Sequence, residues 1–148
     1  MSKASEIFNY LQDSLIQWKP KTSNPTVNGE GFSADNVRNI EGSLPPTNEF
    51  DYVYIAPPIV NETALTTGSR GVKQTTHTYV IDIYCKRLGM GNAGKRATLQ
   101  AMEENTDFIS RLFIEQGFLV TRPRADLNYS GNHTARQVMN ITKTFIYQ

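Results

Sequence analysis

Twelve consecutive residues, Thr75 to Lys86, alternate with a period of two: Tyr79, Ile81, Ile83 and Cys85 fall on one side, Val80, Asp82, Tyr84 and Lys86 on the other. Such alternation is the mark of a half-buried strand, and the odd positions are expected to face the core. At about 3.3 Å per residue the run spans roughly 40 Å. A chain of 148 residues packs into a domain of about 15 Å radius of gyration, or about 38 Å across. The strand therefore reaches the edge of its own globule. The hairpin that feeds it, with a tip expected at Asn61–Lys73 around Gly68 and Gly71, must extend to or past that edge. A protruding hairpin gains little stability alone and is retained when a neighbour covers it.

The rest of the chain supplies what such a strand packs against. Ile7, Leu11, Leu15 and Trp18 form one stripe on a helix over 4–18, stopped by Pro20 and Pro25. Residues 19–48 read as a loop-rich arm, with Asn28-Gly29 and Pro45-Pro46 as turns and a short helix over 34–41 capped by Ser33, Val37 and Ile40 on one side. A strand over 49–56 places Phe50, Tyr52 and Tyr54 opposite Val53 and Ile55, and Pro57-Pro58 sets it at an edge or a break. The strongest helix is expected over 95–116, striped by Leu99, Met102, Thr106, Ile109 and Phe113, with an Asp107–Arg111 pair outside and Gly117 just past its end. A strand starts at Phe118–Val120 and is broken by Pro123; after a turn over 128–132 a last strand covers 134–147. This order predicts an α+β fold: a mainly antiparallel sheet of four to five strands with a long protruding hairpin, packed against an N-terminal helix and one long helix, in a single domain over 1–148.

Charge narrows the partners. Fifteen Lys and Arg against 14 Asp and Glu give a net charge of +1, unlike a dedicated nucleic-acid binder. The first residues hold no continuous apolar run, so no secretion signal is expected, and no stretch approaches the roughly 20 apolar residues of a membrane span. The chain is expected to be soluble and intracellular when made, without a membrane partner. One cysteine, Cys85, makes no internal disulfide.

The most enzyme-like segment is Gly89-Met90-Gly91-Asn92-Ala93-Gly94-Lys95-Arg96, between a strand and a helix. It matches G-x-G-x-x-G and approaches a phosphate-binding loop, which makes a nucleotide-binding enzyme the alternative of a different class. Arg96 stands where such a loop needs Ser or Thr for Mg²⁺, and no acid follows at the end of a second parallel strand. A flexible glycine turn is the simpler reading. Lys95 and Arg96 sit at the positive end of the helix, where an anion or a partner carboxylate would offset them. His77, His133 and Cys85 lack metal-ligand spacing, Cys85 lies on a core face, and Glu103, Glu104 and Asp107 read as a solvated helix face. Tyr52, Tyr54 and Tyr84 are weighed as base-stacking residues against ordinary cross-strand packing. No catalytic residue, metal site or cofactor is expected.

In element order and length, with the long hairpin DYVYIAPPIV to TTHTYVIDIYCKR, the helix KRATLQAMEENTDFISRLFIEQGF and the closing strand QVMNITKTFIY, the chain resembles the tail terminator, or tail completion, proteins of long-tailed bacteriophages, a minor capsid and head–tail joining family. The resemblance implies a homo-oligomer, a hexameric ring on the last ring of the tail tube, which stops tube growth and offers a surface to the head connector. The partners implied are the tail-tube protein and the head–tail connector protein, with DNA passing through the hole without sequence-specific binding. The implied location is the virion, at the head–tail junction, after assembly in the host cytoplasm. A neighbouring connector or tail-tube subunit is the nearest alternative. Candidate contacts are the 61–73 tip and the 19–48 arm, with Leu65, Arg70, Lys73, Lys95 and Arg96 as the partner-binding residues to test.

Overall fold

The computed structural model describes residues 3–21, 30–44, 49–64, 71–88, 91–129 and 134–147. The elements are α1 (Ala4–Trp18), β1 (Val37–Arg38), β2 (Phe50–Ile55), β3 (Ile59–Ala64), β4 (Lys73–Lys86), α2 (Asn92–Glu115), β5 (Leu119–Tyr129) and β6 (Thr134–Tyr147). The strands form one sheet in the order β1-β2-β4-β6-β5, and β3 pairs with β4 beyond the end of β2. The fold is α+β as expected, but the sheet has six strands among the described residues and is mixed, because β1 runs parallel to β2.

The strand count exceeds the expected four to five for two local reasons. Residues 34–41 do not form the expected helix. Eight residues make a marginal helix alone, and the edge of β2 captures this backbone instead: Val53 donates its N–H to Asn36 O at 2.9 Å. Val37 is then fully buried while Ile40 is 76% exposed. Pro57-Pro58 also splits the first hairpin arm into β2 and β3, both laid along the same edge of β4. Asn61–Ala64 and Lys73 consequently belong to strands rather than to the hairpin tip.

β4 runs for 14 residues, about 46 Å, and its odd positions face the helices as their alternation predicted. Tyr79, Ile81, Ile83 and Cys85 join Ile7, Leu11, Leu15, Val53, Ile55, Ile109, Phe113, Met139 and Ile141 in one buried cluster. Both helices thus lie on one face of the sheet, linked to each other by the Trp18–Phe108 stack at 4.0 Å. Leu99, expected on the α2 stripe, is 46% exposed; Thr98 and Asn105 take buried positions instead, because polar groups from neighbouring segments meet the helix there. The C-terminus of α2 follows the expected glycine motif: Gly117 has φ +84, its N–H bonds Ile114 O at 3.0 Å, and Phe118 N–H bonds Phe113 O at 2.9 Å. β5 does not end at Pro123. It shifts register between Thr121 and Arg124, an irregularity that an edge strand tolerates around a residue with no N–H. Among the described residues no helix is long and apolar enough to cross a membrane.

Part of the 19–48 segment is laced to the body rather than projecting from it. Lys21 N–H bonds Phe32 O at 3.0 Å and Phe32 N–H bonds Lys19 O at 2.8 Å. The anchor is Asp51, 0% exposed on the helix side of β2. Its carboxylate accepts Arg87 Nη2 at 2.9 and 3.1 Å, Asn105 Nδ2 at 2.7 Å and Gly31 N–H at 2.7 Å, with Lys19 Nζ at 3.4 Å. Arg87 also reaches Glu30 at 3.3 Å and Phe50 O at 3.1 Å. Burial pushes the Asp51 pKa up most strongly, but Arg87, Lys19, the Gly31 N–H and Asn105 together outweigh it and hold it below its ordinary value. One carboxylate thus joins the end of α1, the 30–31 segment, β2, the end of β4 and α2. Gly31 has φ +98, and a Cβ there would stand 2.5 Å from Pro20 O. Gly31→Ala is expected to cost about 2–3 kcal/mol, read as a lower urea midpoint at unchanged slope.

Candidate functional site

The structure separates the five residues proposed to meet a partner. Leu65 and Arg70 lie outside the described residues. Lys73 opens β4, with Nζ 3.2 Å from Glu62 Oε1; both side chains are exposed, so the pair is worth about 0–1 kcal/mol. Lys95 and Arg96 sit in the first turns of α2, near the opposite end of β4, about 40 Å from Lys73 by strand length. They do not form one site with Lys73.

The glycine turn is partly described. Gly91 is the residue before α2, with φ +57 and no side-chain cap bond. Gly94 is buried, and its carbonyl accepts Thr98 Oγ1 at 2.8 Å while the same hydroxyl accepts Arg87 N–H at 3.0 Å. This hydroxyl pins the start of α2 to the end of β4. Cys85 packs against Thr98 O at 3.4 Å. Burial above all, with Asp51 adding to it, pushes its thiol up to about 12, so at neutral pH it carries its proton and is a poor nucleophile. The Asp107 carboxylate meets Arg122 Nη2 at 2.9 Å, whereas Arg111 Nε reaches only the Asp107 carbonyl, at 3.4 Å. The expected Asp107–Arg111 ion pair is replaced by one to β5, which brings Arg122 against the helix. Among the described residues no three His, Cys, Asp or Glu side chains gather as metal ligands.

On the sheet face away from the helices, Tyr52 stands opposite Tyr84, with ring centroids 5.9 Å apart in an edge-to-face arrangement. The Arg38 guanidinium lies 5.9 Å from the Tyr52 ring and that of Arg136 5.5 Å from the Tyr84 ring. Arg136 also pairs with Asp82 at 3.1 Å. A cavity of about 460 Å³ opens between these side chains and residues 41–44. Because Tyr52 and Tyr84 are buried and guanidinium groups lie over both, they serve cross-strand packing rather than base stacking.

Another exposed surface among the described residues lies where the helices stop. Tyr79 and Ile141 are the last buried residues toward the far end of the sheet. Beyond them β3, residues 73–78 and residues 142–146 form a three-stranded ribbon with no buried residue, and all six residues of β3 are exposed. Pairing register sorts its faces. Toward the helix side lie Val60, Glu62, His77, Lys143 and Phe145, where His77 meets Phe145 edge-to-face at 5.3 Å. The outer face carries Ile59, Asn61, Thr63, Gln74, Thr76, Thr78, Thr142, Thr144 and Ile146, without a single charge. Cross-strand hydroxyl pairs join Thr76 to Thr144 and Thr78 to Thr142, each at 3.3 Å.

No family model matches the chain, and neither a curated protein nor a solved structure matches it.

Sequence reasoning missed Asp51 and its partners Arg87, Asn105 and Lys19. One signal was present: alternation in 50–55 places Asp51 on the same side as Val53 and Ile55. The partners come from 32, 36 and 54 residues away, a separation no local pattern reveals.

Proposed function

We propose that this chain is a structural subunit that forms a closed ring capping the tail tube of a long-tailed phage, ends tube polymerisation and presents a surface for head attachment. The observation that carries this reading is the ribbon: β3 and the ends of β4 and β6 extend past the helices with no fully buried residue and show an uncharged outer face with Ile146 at 66% exposure. Exposed strand edges and faces of this kind invite pairing, and natural proteins protect them with charge, bulges or a cover. Here the outer face carries no charge, so a cover supplied by assembly explains its persistence. A ring also suits a contact surface that differs from the one it meets, since such heterologous contacts close by rotation. The partners in this reading are other copies of the chain, the tail-tube protein and the head–tail connector, with DNA passing through the hole; the work is mechanical and the place of action is the head–tail junction of the virion.

Light scattering and negative-stain microscopy of the purified protein, with and without tail-tube protein, test the reading. Closed rings and shortened tubes are expected. Ile146→Glu combined with Thr144→Glu is expected to weaken assembly at least about tenfold, because two like charges on a face without a cation must then be buried, with the far-UV spectrum unchanged. Long filaments instead of rings would mark a tube subunit. A monomer at every concentration that leaves tube growth untouched ends the proposal.

A further inference from the structure

The ribbon has two open edges. β3 pairs with β4 on one side and, among the described residues, with nothing on the other. β6 loses its β5 neighbour beyond the Leu119–Thr142 pair, so residues 143–147 border no described strand on that side. Register shows which backbone groups each edge offers. The Ala56 N–H bonds Val80 O at 2.9 Å, so the even residues of β4 turn their N–H and C=O toward β2 and β3, and the odd residues turn theirs toward β6. Ile59, Asn61 and Thr63 stand opposite Thr78, Thr76 and Gln74 and exchange bonds with them, while Val60, Glu62 and Ala64 point theirs outward. On β6, Lys143 and Phe145 stand opposite His77 and Thr75, which leaves Thr144 and Ile146 pointing outward at the opposite edge.

The two edges match one another in direction and in charge. β3 and β6 run the same way, because both are antiparallel to β4. A rotation about an axis along the ribbon keeps that direction, so the β6 edge of one copy meets the β3 edge of the next as a parallel pair. Glu62, with its side chain 52% exposed, stands on one edge, and Lys143 stands on the other, both on the helix side of the sheet. Lys73, which meets Glu62 at 3.2 Å, lies one strand further in. Lys143 Nζ bonds Gln116 O at 3.1 Å and keeps donors to spare. Two β3 edges brought together juxtapose glutamates, and two β6 edges juxtapose lysines. Unlike edges attract, and the matching edge of opposite charge belongs to another molecule of the same chain.

We propose that the ring contact is a β-sheet continued from copy to copy, with residues 143–147 of one copy laid parallel against Ile59–Ala64 of the next. The assignment rests on the ring reading above and adds which surfaces meet and in which direction. In a parallel ladder an outward residue bonds the two residues flanking the one beside it. Glu62 therefore donates its N–H to Thr144 O and accepts the Ile146 N–H of the neighbour. Asn61 then lies beside Thr144 and Thr63 beside Ile146 on the outer face, and Glu62 lies diagonal to Lys143 on the helix side. Backbone groups that each edge leaves to water find partners, as in strand addition. The two edges are different surfaces on opposite sides of the ribbon, which is the relation a heterologous ring requires.

Cross-linking of the full chain tests it. Asn61→Cys is combined with Thr144→Cys; both positions are exposed, and Cys85 is fully buried and does not compete. Within one chain the two positions flank Thr76 on either side, so their Cα atoms stand about 9–10 Å apart, too far for a disulfide. Every bridge between them therefore joins two copies. Mild oxidation is expected to give a ladder of covalent multimers on a non-reducing gel, ending at the ring, while each single variant stays monomeric. Thr144→Pro removes an N–H that β4 does not use and sets a pyrrolidine ring on the edge. It is expected to weaken association at least about tenfold in sedimentation equilibrium, with thermal unfolding at low concentration unchanged. If wild type forms rings and the oxidised double variant shows only monomer, the sheet contact is overturned and the ring reading stands. If Asn61→Cys alone gives a covalent dimer, like edges meet and the proposal falls. It falls too if Thr144→Pro assembles as wild type does; should that variant fail to fold, the cross-link decides. If wild type neither assembles nor caps a tube, both readings fall together.

Discussion

Replacing Asp51 by alanine is expected to destabilise the protein by about 3–5 kcal/mol. The reason is asymmetry. Asp51 is wholly buried, and its removal leaves the Arg87 guanidinium with only the partly exposed Glu30 carboxylate, Lys19 with Asn105 Oδ1, and Asn105 Nδ2 and the Gly31 N–H without their acceptor. Typical domains have only about 5–15 kcal/mol to lose. Urea unfolding followed by circular dichroism measures the change. Acid reads the same interaction in the wild type. The folded-state pKa of Asp51 lies below its unfolded value, so the carboxylate's contribution is complete above the unfolded pKa of about 4 and is lost as pH falls through the folded one. The wild type is therefore expected to lose stability below about pH 4 more steeply than Asp51→Ala. Equal acid slopes in the two proteins contradict this assignment. Asp51→Leu combined with Arg87→Met is expected to recover part of the loss, since a well-packed apolar pair costs no charge desolvation.

Replacing Phe113 by alanine is expected to cost about 3–5 kcal/mol. Phe113 is fully buried in α2. Its ring meets Tyr10 of α1 at 6.0 Å and Phe118 at 5.4 Å, each edge-to-face. Its carbonyl also accepts the Phe118 N–H that closes the glycine motif, so the side chain couples helix end, helix pair and the entry to β5. Losing it opens a cavity at the junction of three elements, where rigid neighbours limit collapse. Calorimetry is expected to show the midpoint falling by about 6–20 °C, at roughly 2–4 °C per kcal/mol for a chain of this length. Phe113→Leu retains much of the volume and is expected to cost less than half as much. A loss below about 1 kcal/mol for Phe113→Ala contradicts this account of the packing.

Local patterns in the sequence determined α1, β4, the length of β6, the glycine end of α2 and the face on which Ile81 and Ile83 are buried. Each is set by neighbours a few residues apart: a period of 3.6 or 2, a proline that ends a run, a glycine that takes positive φ. They also gave the expectation that the long strand is long enough to reach the edge of the globule, because rise per residue and chain length are both countable. Only the tertiary structure decided that residues 34–38 become a turn and an edge strand, that Asp107 turns to Arg122, and that Leu99 is outside while Asn105 is inside. In each case the deciding partner is distant in sequence, and a weak local preference yields to one backbone pairing or one buried charge. The Asp51 clamp belongs to the same class. A buried carboxylate is visible as a residue, but what satisfies it depends on which segments the fold brings within about 3 Å of it.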